Sequence, residues 1–343
     1  MIVIVSEHGA KIGKEGRRLY ISYPAAEKAT NYIPAINLEQ LVIEAKATLT
    51  SGAIELLTAY GIPVLFFRRG KPVGVMHSFA AHGTVKIRRA QILANTSSKG
   101  AKFVISNLKG AMENKVNLLK RVMRSRKIAT EKVVELKKKI KRLEEQRKKD
   151  YREYTEEPVK SNREQIFAIE GNATETYFSA LKLLIDEKFQ FNGRNRRPPK
   201  DPINSLLSYG YAILTLKVLA GVIIAGMEPF AGFLHTDRSG KPSFVLDLME
   251  EFRQPVVDKL ILKLEGRGII AQEDFEEKNQ MCKIKEEPKK TFLTELYKVF
   301  ETTVTNSTTG EMKTIEQHII QQARKAGKFF MGEKEEYEPF IAK

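Results

Sequence analysis

The sequence has no tryptophan and a single cysteine, Cys282. One thiol excludes an internal disulfide and any zinc site built from several cysteines. A buried or idle thiol is the expected state of Cys282. Long hydrophobic runs are also missing. The first apolar run is the four residues IVIV (2–5), with no basic segment before it, so no signal peptide is expected. No run approaches the roughly 20 apolar residues of a membrane span. The most apolar segment, LKVLAGVIIAGM (216–227), has the length of a buried helix. A cytoplasmic protein is expected. Acids are outnumbered: 58 Lys and Arg face 42 Asp and Glu, a formal charge of +16.

That charge, with a pI near 9.6, favours a polyanionic partner, because phosphate contacts by Lys and Arg release condensed counterions. The competing account is that the charge only aids solubility. The 343 residues, 42% of them hydrophobic, suffice for a sizeable core and for about two domains at roughly 150 residues each.

The first 80 or so residues differ from the rest. IVIV (2–5), RLYISY (18–23), QLVIEA (40–45), PVLFF (63–67) and PVGVM (72–76) are short β-branched or aromatic runs. HGAKIG, YPAAEK, SGA and RRGKP between them read as turns. SGAIELLTAYG (51–61) reads as one short helix, with Ser51 as its N-cap, Gly61 past its end, and Ile54, Leu57 and Tyr60 on its apolar face. After about residue 83 the period becomes helical, beginning with Val85, Ile87, Ala90, Ile92 and Leu93. The pattern predicts an α+β protein: a small β-rich N-terminal domain over 1–83, then a larger all-α C-terminal domain over 84–343.

In the helical part, Met112, Val116, Leu119 and Val122 share one stripe. Val133, Leu136, Ile140 and Leu143 follow at heptad spacing within a segment of Lys, Arg and Glu. That segment reads as a solvated hairpin laced by pairs one turn apart, or as a basic rail for a phosphate backbone. Ile166, Ile169, Ala173, Tyr177, Leu181 and Leu184 form another stripe, with Glu170 at its margin. In FNGRNRRPPKDP (191–202) the prolines forbid a helix before Ile203. Arg194, Arg196, Arg197 and Lys200 there suit a phosphate-clamping loop or a soluble linker. Gly210, in the following helix, marks a close-packing point or a tolerated cost.

The densest chemistry lies in HTDRSGKPSFVLDLMEEFR (235–253). His235 precedes Asp247, Glu250 and Glu251, with no base between the three acids. On a helix with Val245, Leu248, Met249, Phe252 and Val256 as its apolar face, the acids fall at i, i+3 and i+4 and share the other face. Pro255 should kink or restart this helix. Stacked carboxylates need a cation. Arg253 or Arg238 is one candidate; a divalent metal, Mg²⁺ or Mn²⁺, is the other.

Three ordered blocks add to this reading. EGNATETYF (170–178), NGRNRRPPKDPINSLLSYGYAIL (192–214) and GMEPFAGFLHTDRSGKPSFVLDLMEEFRQPVVD (226–258) resemble the signature blocks of the CRISPR-associated Cas1 family. The resemblance covers essentially the whole chain. It implies a metal-dependent DNA endonuclease and integrase that inserts new spacers into CRISPR arrays. Carried over, the family's metal ligands fall on Glu170, His235 and Glu250, with Asp247 as a further acid of the catalytic set in a supporting role. The last ligand is Asp in some members and Glu here. The implied partners are double-stranded and branched DNA, a second copy of the chain and a small Cas2 protein. In a homodimer the β-rich domains would meet, with IVIV or PVLFF as interface strands. Arg194, Arg196, Arg197, Lys200, Arg238 and Lys241 are the expected DNA contacts. His8, His77, His82 and His318 match no block. A basic DNA-binding scaffold without catalysis remains the competing reading. It predicts binding that is indifferent to EDTA. Membrane-surface binding through 116–152 is a third and predicts liposome association that salt abolishes.

Overall fold

Short runs of β-branched, aromatic and other apolar residues build two four-stranded sheets in the first unit, Met1–His82. The computed structural model describes residues 2–24, 30–68, 71–78, 85–195 and 198–343. One sheet contains β1 (Ile2–Val5), β5 (Gln40–Ile43), β7 (Val64–Arg68) and β8 (Lys71–Met76), in that spatial order. The other contains β2 (Lys11–Glu15), β3 (Arg18–Ser22), β4 (Asn31–Pro34) and β6 (Thr48–Leu49), in the order β4-β3-β2-β6. Val5, Ile12, Leu19, Leu41, Leu57 and Val64 meet in one core. The five strand-like runs of the sequence all lie in or overlap these strands. The stretch read as a turn at HGAKIG instead enters β2, because Ile12 alternates into the core. Gly13 is required there: a Cβ would lie 2.2 Å from the Tyr20 ring of the neighbouring strand. Most of YPAAEK, part of RRGKP, and His82 lie outside the described residues.

The short helix α1 (Ser51–Ala59) begins one residue earlier than expected, with Thr50 as N-cap. The Thr50 hydroxyl accepts from the Ala53 amide at 3.3 Å. Its buried face is Ala53, Leu56 and Leu57, whereas Ile54 and Tyr60 are exposed. β7 has strands on both sides, so PVLFF offers no free edge, whereas β1 ends its sheet.

The second unit, Gly83–Lys343, is mostly helical. Its helices are α2 (Val85–Ala94), α3 (Ser98–Ser125), α4 (Thr130–Lys148), α5 (Arg163–Lys182), α6 (Pro202–Ile224), α7 (Ser243–Met249), α8 (Lys259–Gly266), α9 (Glu286–Glu301) and α10 (Ile315–Met331). The heptad residues Leu136, Ile140 and Leu143 of α4 are buried, and α4 packs on α3 and α5. Lys120–Glu144 and Arg147–Glu113 ion pairs at 2.5 and 2.6 Å tie α4 to α3, so this hairpin is a pair-laced support. The unit is not all helix. β9 (Phe275–Lys278) and β10 (Met281–Ile284) form a hairpin, as do β11 (Thr303–Thr305) and β12 (Met312–Thr314). The first turns at Asn279 and Gln280, with φ of 54° and 58°, the left-handed pair of a two-residue hairpin loop. Cys282 lies on β10, where burial pushes its thiol up to about 11, so it is an idle group.

α6 starts where the prolines allow. Pro202 occupies its first turn, and the Asp201 carboxylate accepts from the Asn204 amide at 2.9 Å, a standard N-cap. It is apolar enough to span a membrane by composition, but 67% of that window is buried inside the protein. Gly210 is a close-packing point: a Cβ would sit 2.5 Å from Val257 Cγ1. Gly210→Ala is expected to cost about 1–3 kcal/mol by overpacking, read as a lower urea midpoint. An unchanged midpoint would mean that Val257 yields freely.

Candidate active site around His235

Asp247 organises the site. It lies on α7 and is 5% exposed. Its Oδ2 accepts from the amides of Phe233 (2.7 Å) and Leu234 (3.2 Å). Its Oδ1 accepts from the His235 amide at 3.1 Å and meets His235 Nδ1 at 2.6 Å. One carboxylate thus folds the loop that precedes the helix. A carboxylate accepts here, so Nδ1 carries a proton toward Asp247 and Nε2 is the ring nitrogen left unengaged by it. Phe167 of α5 stands edge-on to the ring, centroids 6.0 Å apart. With every acceptor direction spent on the loop and the ring, Asp247 is a positioning residue.

Glu170, His235, Asp247 and Glu250 line one cavity against Phe103, Val104, Asn107 and Leu108 of α3. Glu170 lies half-buried at the margin of the α5 core stripe and accepts from Thr174 Oγ1 at 2.9 Å. Glu250 terminates α7, is 7% exposed, and pairs with Arg253 at 2.8 Å. Arg253 is thus one neutralising cation; Arg238, the other candidate, is exposed. Lys115 of α3, 3% exposed, is a further cation. Burial pulls its ammonium pKa down, and the Glu250 and Glu170 charges pull it back up. In the sequence Lys115 is only a base beside an apolar stripe, and nothing there marked it. The donor set is two carboxylates and one imidazole nitrogen held by a carboxylate, which fits a hard divalent ion in kind. Among the described residues no three His, Cys, Asp or Glu side chains stand as a ready ligand group, consistent with Arg253 holding Glu250.

The three acids do not share a face, a correction to the helical reading. The helix ends at Met249, so Glu251 turns inward and is fully buried. Its carboxylate accepts from Asn107 (2.9 Å), Gln322 (3.1 Å), Tyr337 (2.6 Å) and the Phe340 amide (2.7 Å). It ties the C-terminal segment down, with Phe340 stacked on Phe252. Pro255 sits in a π-helical turn, Arg253–Asp258, which restarts the chain as α8. Asp258 there accepts from Tyr177 at 2.7 Å and Tyr211 at 2.6 Å.

Burial raises Glu251 to about 7 and Asp258 to about 6, against the opposing pull of their hydroxyl donors. Both lie above unfolded values near 4. The folded state therefore holds more protons between about pH 4 and 7, and stability falls as pH rises through that window. Melting temperature is expected to decline from pH 4.5 to 7.5, with a shallower slope in Glu251→Gln. Equal slopes would refute the assignment.

The expected DNA contacts separate. Arg194 turns inward: its guanidinium bonds Asn204 Oδ1 at 2.8 Å and Ser208 Oγ at 3.1 Å and packs over Tyr211. It pins the loop to α6, a correction caused by the acceptors α6 presents. Arg196 and Arg197 lie outside the described residues. Lys200 and Arg238 are exposed and Lys241 half-buried. Arg238 and Lys241 flank a turn whose Gly240 has φ +73°. Among the remaining histidines, His8 accepts from the Lys46 amide at 3.1 Å and His318 is buried against the Val304 carbonyl at 2.8 Å.

The profile of the family described as CRISPR associated protein Cas1 matches residues 3–298. The chain belongs to the Cas1 family. Among family members, a CRISPR-associated endonuclease Cas1 from Archaeoglobus fulgidus is 32% identical, with both chains fully covered. One from Thermus thermophilus is 29% identical over all of this chain and 97% of its own. The fold is shared with a Cas1 protein from Thermotoga maritima, at a TM-score of 0.76, 24% identity and 98% coverage of both chains. A casposase bound to integration product superposes at 0.75, with 19% identity, 98% of this chain and 93% of the other.

Proposed function

We propose that this Cas1 protein is a divalent-metal-dependent DNA endonuclease and integrase that inserts spacers into a CRISPR array. The observation that carries the reading is one cavity lined by Glu170, His235, Asp247 and Glu250 in a chain of net charge +16. The names of the curated relatives (endonucleases) and of the structural neighbour solved with an integration product support it. Glu170, His235 and Glu250 would hold Mg²⁺ or Mn²⁺, and Asp247 keeps His235 Nε2 presented. Such an ion, when bound, polarises one phosphodiester and stabilises charge on the leaving oxygen. A DNA 3′-OH attacking the phosphorus gives strand transfer; water in its place gives cleavage.

Lys200, Arg238 and Lys241 would meet the DNA backbone, with Arg196 and Arg197 as further candidates. Arg194 acts through the loop it pins. The partners are double-stranded and branched DNA, a second copy joined through the β-rich unit over 1–83, and a small Cas2 protein, in the cytoplasm. A structural neighbour described as a Cas6-RT-Cas1–Cas2 complex supports the last partner. The open edge of β1 suits the homodimer contact better than enclosed β7.

The Arg253–Glu250 pair favours a second reading, a DNA-binding scaffold whose acids are merely neutralised. Cleavage and strand transfer on a branched or repeat-containing duplex separate the two. Product is expected with Mn²⁺ or Mg²⁺ and none in EDTA. Tight binding without product under any divalent ion, even with the small partner added, would leave the scaffold.

A further inference from the structure

A second cleft lies apart from the site and shares no lining residue with it. Its main lobe, of about 600 Å³, opens between the C-terminal half of α3, the Pro255 turn with α8, and the region where α9 passes into β11. Aliphatic side chains floor it: Leu118, Val122, Val256, Leu260, Val299 and Ile315. Arg121, Lys259, Lys263 and Arg267 ring it. Through a narrow neck, lined again by Arg121 and Lys259, it continues into a second lobe of about 710 Å³ that carries Lys120, Arg124 and Arg147. Among the described residues, the only carboxylate side chain lining the three cavities is Glu113, already paired with Arg147 at 2.6 Å.

The ring of bases is poorly compensated. Among the described residues no carboxylate pairs with the side chains of Arg121, Lys259 or Arg267, whereas Lys263 is paired with Glu295 at 2.9 Å. Burial, then the nearby charges of Arg121 and Lys263, pull the Lys259 ammonium pKa down. Cations held together over an apolar floor favour an anion that also brings apolar surface.

Among the described residues no aromatic ring lines any of the lobes. Grooves for single-stranded nucleic acid rely on rings for base stacking, and a phosphate chain gains nothing from an aliphatic pocket. A peptide gains from both parts. We propose that this cleft docks an acidic peptide segment of a partner protein. A bulky apolar side chain enters the aliphatic lobe, and flanking carboxylates meet Arg121, Lys259 and Arg124. The lobes in sequence suit an extended or helical segment.

The test uses the full chain and a phage-displayed library of random 12-residue peptides, counter-selected on Arg121→Glu/Lys259→Glu. Selected peptides are expected to carry acids around a leucine, isoleucine or phenylalanine. By fluorescence anisotropy, the strongest should bind the double variant at least tenfold more weakly, as it should Val299→Asp. A ten-residue oligo-dT should not displace it. The proposal is overturned if no peptide depends on Arg121 and Lys259, if the selected peptides lack acids, or if oligo-dT displaces them. The last outcome makes the cleft a nucleic-acid site. Metal-dependent cleavage by Arg121→Glu/Lys259→Glu should equal wild type, so this docking and the proposed activity fail separately.

Discussion

Alanine at His235 or Glu250 is expected to leave DNA binding intact and to lower metal-dependent cleavage and strand transfer by more than about 100-fold. Groups that merely orient a metal ligand account for about 10- to 100-fold in affinity or activity, and a ligand itself should exceed that. The proposed DNA contacts, Lys200, Arg238 and Lys241, are other side chains, so a gel shift in the same buffer should not move. Asp247→Asn gives the graded case. Asp247 accepts four hydrogen bonds from the 233–235 loop and the imidazole. An amide keeps one oxygen and turns a donor toward groups that are themselves donors. Activity should fall by about 10- to 100-fold, with His235 still present. Single-turnover product formation on a branched duplex measures all three. Wild-type rates in His235→Ala and Glu250→Ala would remove both residues from the chemistry.

The largest stability effect is expected at Asp258. Tyr177 of α5 and Tyr211 of α6 donate to its two oxygens inside the core, so one side chain joins three elements. Asp258→Ala strands two buried hydroxyls, at about 1–3 kcal/mol each. Removing a carboxylate that burial has already pushed up to about 6 returns part of this. The net loss is expected at about 2–4 kcal/mol, read from urea unfolding at pH 7. Tyr177→Phe and Tyr211→Phe should each cost about 1 kcal/mol. α5 also carries Glu170, so Asp258→Ala should lower cleavage even in the fraction that stays folded. A loss below about 1 kcal/mol would show that the tyrosines find other partners.

Much of the site was legible because its residues are local in sequence. His235, Asp247 and Glu250 fall within 16 positions, and their spacing on a helix already raised the question of a cation. The face they were given was wrong in one respect. Asp247, Glu250 and Glu251 look equivalent on a helical wheel, but the helix stops at Met249. Each acid then meets a different neighbour: the 233–235 loop, Arg253, or the Tyr337–Phe340 segment. Arg194 failed for a related reason. A basic loop reads as exposed until one sees that α6 offers Asn204 and Ser208 within reach. Thr50 displaced Ser51 as N-cap of α1 because either hydroxyl suits the position and the backbone chooses between them.

By itself the sequence determined the order of the architecture and the family. Short β-branched and aromatic runs between turns point to strands, and the 3.6-residue stripes after residue 83 to helices. The blocks 170–178, 192–214 and 226–258 carried the likeness to Cas1 proteins. Tertiary structure alone decided which carboxylates face the cavity, which serve as internal ties, and that Lys115 of α3 feels the charges of Glu250 and Glu170. Glu250 meets Arg253 close by, but Glu251 is satisfied by groups distant along the chain, Asn107, Gln322, Tyr337 and Phe340. The pairing that separates Glu251 from its neighbours exists only once α3, α10 and the C-terminal segment have packed around the end of α7.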